Sequence, residues 1–164
     1  MGEDVARIAR DKYVMRKTLE AEGIPQPMYG LARTVDEAIE QADRIGFPVV
    51  VKPVVNNDTS YIRRVADIDE LRRCFPSLQY GAWHVKGNAS LYNWARHDYG
   101  NAVIIEEFLP GLDVSVESIV TDGQTHVVAI HDKPNPEEGP YLVDVRYTTP
   151  SKLPMDTQLC IHHL

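Results

Sequence analysis

Phe47-Pro48-Val49-Val50-Val51-Lys52-Pro53 is the stretch of sequence that decides the fold. Its three consecutive β-branched residues favour a buried strand, because such side chains pack well on a pleated sheet but lose rotamer freedom in a helix. Lys52 closes this apolar run, and Pro53 excludes a helix that continues through it. Two interpretations of Lys52 stay open: its ammonium reaches past the strand end to water, or it contacts an anion such as a phosphate.

Composition places the chain among small soluble proteins. Its 164 residues, of which 43% are hydrophobic, suffice for one domain or for two small lobes that share a core. The 17 Lys and Arg residues against 24 Asp and Glu residues give a net charge of -7, which argues against binding to nucleic acid. No apolar run is long enough to span a membrane, and the N-terminus Met1-Gly2-Glu3-Asp4 is acidic rather than signal-like. We therefore expect a cytoplasmic protein with neither a nucleic-acid nor a membrane partner.

The residue types that bind metals form no recognisable motif. Cys74 and Cys160 lie far apart in the sequence, which favours reduced thiols that pack as small apolar side chains over a redox pair. His162-His163 is a weak metal candidate, because adjacent side chains rarely share one metal ion. We therefore predict no metal ligands and interpret residues 155–164 as a frayed tail.

The first predicted helix runs from Asp11, as its N-cap, to Gly23, which lies just past its end. Lys12 then falls in the first turn, where a cation opposes the helix dipole unless an anion is shared between its ammonium and the free backbone N–H groups. A solvated surface lysine is the alternative, and the helix alone does not decide between the two.

Two further helices begin with capping boxes. Thr34-Val35-Asp36-Glu37 opens a helix that Gly46 ends, and Asp67-Ile68-Asp69-Glu70 opens a helix that Pro76 is expected to end. Between them, Ile62-Arg63-Arg64-Val65 is predicted as a short strand that returns beside the lysine strand.

Residues 76–101 scatter tyrosine, tryptophan and histidine among Gly, Asn and Ser. Such a mixture can form a ligand cage or a metal site, but its spacing matches no metal motif. Core packing, or an aromatic-rich insertion, is the interpretation that we favour.

The third informative block is residues 102–117. A buried strand that starts at Ala102 runs into the carboxylates Glu106 and Glu107, and after a turn a strand in strict alternation follows. The pair Asp122-Gly123 is typical of a type I′ turn, so residues 114–121 and 124–131 should pair antiparallel. A further strand is predicted over residues 141–146.

Three blocks in order resemble the ATP-grasp superfamily, and the carboxylate–amine ligases, including L-amino acid ligases, are the most similar members. Biotin carboxylase and carbamoyl phosphate synthase are more distant. The blocks are Asp11-Lys12, Val50-Val51-Lys52-Pro53 and Glu106-Glu107-Phe108-Leu109-Pro110-Gly111-Leu112-Asp113-Val114-Ser115-Val116-Glu117. Any one motif is weak, but three at suitable separations are specific.

The resemblance covers residues 11–154 and implies an α/β (α+β) fold of ATP-grasp type. It implies a small nucleotide-covering lobe over residues 11–75 and a connector or insertion over residues 76–101. The first antiparallel strands of the second lobe then follow over residues 102–154, and residues 155–164 form the tail.

The resemblance also implies an ATP site. Lys12 and Lys52 would hold the α- and β-phosphates, which suits compact cations that need no bidentate geometry. Asp113 would accept the ribose hydroxyls, although an aspartate solvated in a turn is the alternative there. The segment that meets adenine would be Glu106, Glu107, Phe108 and Leu109. The loop over residues 54–61 would cover the β- and γ-phosphates with Asn56, Asn57, Thr59 and Ser60.

The chain departs from the family pattern in two places. Family loops usually carry glycines that approach phosphate oxygens closely, whereas Asn57 and Tyr61 stand where glycine is common. Tyrosine tolerates left-handed φ poorly. The carboxylate and amide residues that coordinate Mg²⁺ in the family are also not found before Leu164, so we expect a truncated chain in which Mg²⁺ belongs only to the complete domain.

The functional expectation is the ATP-binding portion of a ligase that activates a small-molecule carboxylate as an acyl phosphate for attack by an amine. The alternative is a truncated or pseudoenzyme module that binds nucleotide or protein without catalysis. Whether the chain is an enzyme stays open, and no catalytic residue is assigned. Self-association through an exposed sheet edge is a further expectation.

Overall fold

The computed structural model describes residues 2–56, 61–84, 89–133 and 146–163. These residues form two compact units, one that runs to Leu109 and one that starts at Pro110. No helix in the described part of the chain is long and apolar enough to cross a membrane.

The first unit is a four-stranded antiparallel sheet with helices packed on it. Its strands lie in the order β1-β4-β2-β3, so the strand latest in the sequence is inserted between the first two. The elements are α1 (Glu3–Arg10), α2 (Lys12–Ala21), β1 (Tyr29–Ala32), α3 (Val35–Ile45), β2 (Val49–Pro53), β3 (Arg63–Val65), α4 (Ile68–Trp83), α5 (Ala89–Tyr99) and β4 (Val103–Glu107).

The two faces of this sheet differ, because successive side chains of a strand point to opposite sides. One face carries Val49 and Val51 of β2 with Ile105 of β4 into an apolar core, where Leu71 and Phe75 of α4 cover them. The opposite face of β2 carries Val50 and Lys52, and that of β4 carries Ile104 and Glu106. Ile104 joins a smaller apolar cluster with Val54, Val55 and Ala95. The lysine that ends the strand therefore lies on the face opposite the main core.

The strand predicted at Phe47 to Pro53 is present as β2, and the predicted helix caps are confirmed. The Asp11 carboxylate accepts a hydrogen bond from the Val14 backbone N–H at 2.9 Å, and Gly23 takes a φ of 73° past the end of α2. The hydroxyl of Thr34 accepts from the N–H of Glu37 at 3.2 Å, which starts α3.

The capping boxes differ in one detail from the standard form. The carboxylate of Glu37 accepts from the N–H of Arg33, one residue before the cap, at 2.6 Å. Glu70 does the same with the N–H of Ala66 at 2.8 Å, while Asp67 caps the N–H of Glu70 at 2.7 Å. Each capping box therefore also satisfies the backbone N–H of the residue before the cap, which is not one of the free N–H groups of the helix itself.

One expectation for the helices was wrong, because α4 continues through Pro76 to Trp83. Helix α1, before the helix that starts after Asp11, was not predicted. A proline inside a helix costs roughly 3 kcal/mol, but burial of a Phe or Leu side chain contributes about 1.5–3 kcal/mol each. Phe75 and Leu78, both buried against the core on either side of Pro76, are enough to offset that cost. Of residues 76–101, the structure places 76–83 in α4 and 89–99 in α5.

The assignment of residue 102 onward to a second lobe is also corrected. Strand β4 pairs with β1 through Tyr29↔Glu106 and with β2 through Val50↔Glu106, so it is central to the sheet of the first unit. The sequence shows where an apolar strand lies but not which strands flank it. For the same reason β1, a short strand with alternating burial, was not predicted.

The second unit contains the predicted hairpin. Strands β5 (Asp113–Thr121) and β6 (Gln124–Lys133) pair antiparallel, with an irregularity between Glu117 and Ser118. Asp122 and Gly123 take φ values of 50° and 77°, which confirms the type I′ turn. Instead of a frayed tail, the unit ends in α6 (Met155–His162). Most of the strand predicted over residues 141–146 lies outside the described residues.

Tyr61 has the left-handed backbone that its position suggested, with a φ of 62°. Its ring packs against the main core and covers Gly81 of α4: a Cβ added at Gly81 would lie 2.1 Å from Cγ of Tyr61. The contact involves the base of the ring, which a change of rotamer at the far end cannot relieve. Gly81 is therefore the glycine that makes room for the tyrosine.

We predict that Gly81→Ala destabilises the protein by about 1–3 kcal/mol, the range found for overpacked cores. Ordinarily a Gly→Ala change inside a helix stabilises by up to about 1 kcal/mol, so the sign of the effect is diagnostic. Urea denaturation measures it. In a Tyr61→Gly background the same change should instead stabilise, and a stabilising effect in both backgrounds would contradict the contact.

Candidate functional site

Three charged side chains meet on the face of the sheet opposite the main core. Glu106 of β4 is 4% exposed, and its carboxylate accepts two hydrogen bonds from Arg16 of α2, from Nε to Oε1 at 3.0 Å and from Nη2 to Oε2 at 3.2 Å. The ammonium of Lys52 lies 2.5 Å from Oε2 of the same carboxylate. We call Arg16, Lys52 and Glu106 the charged triad.

The electrostatics of the triad keep Glu106 ionised. Burial raises the pKa of this carboxyl group, but hydrogen bonds and charge from Arg16 and Lys52 outweigh burial, and the pKa lies below its usual range. Two cations face one anion, so the triad carries a net positive charge of one. Such a site can attract an anion without first losing its own ion pairs.

Lys12 is the first residue of α2, one turn before Arg16, and lies beside the loop that follows β2. Its backbone N–H donates to the carbonyl of Val54 at 3.0 Å, and its ammonium donates to the carbonyl of Asn56 at 3.4 Å. The capping carboxylate of Asp11 also accepts from the hydroxyl of Tyr99 at 2.7 Å, and burial together with this bond raises the pKa of that hydroxyl. The structure thus joins two predicted site residues, Lys12 and Asn56, at the start of the loop.

The segment predicted to meet adenine is held at the end of β4. The Glu107 carboxylate accepts from the N–H of Met28 at 3.1 Å, and the N–H of Glu107 donates to the carbonyl of Met28 at 2.8 Å. The Arg64 guanidinium stacks over the ring of Phe108 at 4.9 Å, and Leu109 is 60% exposed. Glu106 and Glu107 therefore direct their carboxylates to other parts of the protein, while Leu109 offers an apolar surface to solvent.

The remaining predicted residues are in the second unit or outside the described ranges. Asp113 begins β5, where its carboxylate lies 3.5 Å from the ammonium of Lys133. Asn57, Thr59 and Ser60 lie outside the described residues. Within the described ranges, no three His, Cys, Asp or Glu side chains converge to hold a metal ion.

Arg16 is the member of the charged triad that sequence reasoning missed. It lies four residues after Lys12, on the same face of the predicted helix, and this spacing is a signal that could have drawn attention to it. Its partner Glu106 is 90 residues away in sequence, so the pair itself could not be seen.

We predict that Glu106→Gln destabilises the fold by about 3–5 kcal/mol at neutral pH, because Arg16 and Lys52, whose side chains are only partly exposed, would be left without a counter-charge. The folded pKa of Glu106 is lowered, so its contribution is present above the unfolded pKa and is lost as pH falls through the folded pKa. Denaturation from pH 7 towards pH 3 should therefore show the gap between the two proteins narrowing in acid. The exposed Glu40→Gln is the matched control; a gap that did not change with pH would show that charge is not the cause.

The amino-acid sequence of this chain is similar to that of known proteins. A model of the ATP-grasp domain matches residues 45–164. The carbamoyl phosphate synthase large chain of Thermomicrobium roseum is 28% identical over 117 residues, which are 71% of this chain and 9% of that protein. Biotin carboxylase of Nostoc sp. is 31% identical over 91 residues, which are 54% of this chain and 20% of that protein. The chain thus spans a fifth or less of these relatives.

Solved structures show the same fold. An L-amino acid ligase from Bacillus licheniformis superposes with a TM-score of 0.70 at 24% identity, over 93% of this chain and 33% of that one. A biotin carboxylase from Campylobacter jejuni superposes with a TM-score of 0.69 at 18% identity, over 94% of this chain and 32% of that one. Because the domain model matches residues 45–164, which are well over half of the sequence, the chain belongs to the ATP-grasp family.

Proposed function

We propose that this chain supplies the ATP-binding portion of an ATP-grasp ligase that activates a carboxylate as an acyl phosphate for attack by an amine. The observation that carries the proposal is the ammonium of Lys52, held at the end of a buried strand in a cluster with net positive charge. The names of its relatives support it, since carbamoyl phosphate synthase, biotin carboxylase and L-amino acid ligase are all family members.

The proposed roles follow from charge and position. Lys52 and Lys12 hold the α- and β-phosphates, and the bond from Lys12 to the carbonyl of Asn56 places its ammonium near the loop that follows β2. The apolar side chains of Phe108 and Leu109 cover the adenine ring, and backbone groups of residues 106–109 bind its edge. Asp113 accepts the ribose hydroxyls. The loop donors are Asn56, Asn57, Thr59 and Ser60.

In the proposed reaction a carboxylate oxygen attacks the γ-phosphorus of ATP. The bond between that phosphorus and the β–γ bridging oxygen breaks, ADP leaves, and the amine then attacks the acyl carbon and releases phosphate. Little covalent chemistry is asked of the protein, so positioning and charge stabilisation supply most of the rate. The part assigned to this chain is to bind the triphosphate and to offset part of its charge.

A binding module without catalysis is the second candidate. Two observations favour it: the described residues offer no metal-binding cluster, and Tyr61 occupies a left-handed position where the family usually has glycine. A bound nucleotide would then serve a structural or regulatory role.

We predict that Lys52→Ala weakens ATP binding by roughly 1.5–3 kcal/mol, the scale of a hydrogen bond to a charged group. Lys12→Ala should act in the same direction but less, because its ammonium is not fixed at the end of a strand. Isothermal titration with ATP measures both. Lys17→Ala, which changes an exposed lysine on the same helix as Lys12, is the control. Wild-type affinity for ATP in Lys52→Ala would contradict the assignment of Lys52 to the phosphates.

We also predict that the 164-residue chain by itself does not transfer the γ-phosphate at a useful rate. A carboxylate that approaches a triphosphate is repelled, and lysines offset only part of that charge without metal ions. An assay of phosphate release with Mg²⁺, ATP and a panel of amino acids tests this. Robust turnover that depends on an amino acid would show that the chain has a metal site among residues not assigned here.

A further inference from the structure

We propose that Arg16 is a positioning residue, which acts through the carboxylate of Glu106 to fix the ammonium of Lys52 for the phosphates of ATP. The inference rests on the proposed function, because it assumes that Lys52 contacts the triphosphate. Arg16 itself is not assigned a contact with ATP.

The guanidinium of Arg16 is fixed at all three nitrogens. Nε and Nη2 bind the two oxygens of Glu106, and Nη1 donates to the side-chain oxygen of Gln26 at 2.7 Å. A planar fork held in this way leaves the carboxylate one orientation. Since the ammonium of Lys52 binds Oε2, the orientation of Glu106 also sets where Lys52 lies.

Arg16 also decides the charge that a phosphate would meet. Oε2 of Glu106 is shared between Nη2 of Arg16 and the ammonium of Lys52, so the carboxylate does not compensate Lys52 alone. Without Arg16, Glu106 and Lys52 would form a neutral pair, and the carboxylate could rotate towards any bound phosphate. The guanidinium therefore keeps the lysine both placed and effectively positive.

A purely structural role, in which Arg16 only docks α2 on the sheet, has less support. The N-terminus of α2 is already held by the bonds of Asp11 to Tyr99 and of Lys12 to Val54. The ring of Tyr13, in the first turn, packs edge-on against Tyr29 of β1 with centroids 5.8 Å apart. These contacts fix the helix without the guanidinium.

A double-mutant cycle on ATP affinity tests the proposal. Isothermal titration with ATP and Mg²⁺ is run on the wild type, Arg16→Met, Lys52→Ala and the double variant, with circular dichroism to confirm folding. Arg16→Met should weaken binding about tenfold, an energy typical of one lost charge-assisted contact, whereas in the Lys52→Ala background it should change binding less than about twofold. Lys17→Met, the next residue on the helix, is the matched control. Equal losses from Arg16→Met in both backgrounds would overturn the proposal.

A second variant separates positioning from charge. Arg16→Met combined with Glu106→Gln leaves Lys52 positive but without the ion pair that places its ammonium. Its affinity for ATP should stay close to that of Arg16→Met, whereas recovery to wild-type affinity would show that Arg16 acts by charge alone and would overturn the positioning role. Wild-type affinity in Lys52→Ala would instead refute the proposed function. Weakened binding in Lys52→Ala with no effect of Arg16→Met would refute the role of Arg16 alone.

Discussion

The first unit depends on the burial of one carboxylate, that of Glu106, in the middle of its sheet. A buried charge is tolerated only when it is paired and hydrogen-bonded, and here the partners come from a helix and from a neighbouring strand. Helix α2 must therefore lie against the sheet, and β2 must neighbour β4. The ion pairs consequently require the same arrangement that the apolar core favours, which makes alternative strand orders costly.

Because side chains alternate along β2 and β4, one face of the sheet is apolar and the other carries charged side chains. Val49, Val51 and Ile105 supply the main core, whose burial provides most of the stability. Lys52 and Glu106 face the other way, where charge can be presented to a ligand by strands that the core holds rigid. A lysine on such a strand loses little conformational entropy on binding, and this preorganisation is what a phosphate contact needs.

Local features were predictable from the sequence, and long-range ones were not. The cap at Asp11 and the turn at Asp122-Gly123 depend on residues within four positions of each other, so their chemistry is visible in the sequence. The pairing of Arg16 with Glu106 spans 90 residues, and the strand order depends on long-range pairings such as Tyr29 with Glu106. The predicted end of α4 at Pro76 was wrong for a related reason. Whether a helix continues through a proline depends on the burial of its other side chains in the core and not on the proline alone. The resemblance identified the family and placed Glu106 in the segment expected to meet adenine. It did not reveal the ion pairs of Glu106 with Arg16 and Lys52.

Tyr61 shows how a departure from the family pattern is accommodated. A left-handed residue other than glycine costs roughly 1–2 kcal/mol, but burial of an aromatic ring against the core contributes about as much in the opposite direction. That burial requires a small residue opposite, and Gly81 supplies it. A glycine in the loop would favour close approach of the backbone to a phosphate, whereas the tyrosine ties the end of the loop to α4. In the proposed ATP site, the phosphate contacts would therefore come chiefly from the ammonium groups of Lys12 and Lys52, which α2 and the sheet hold in place.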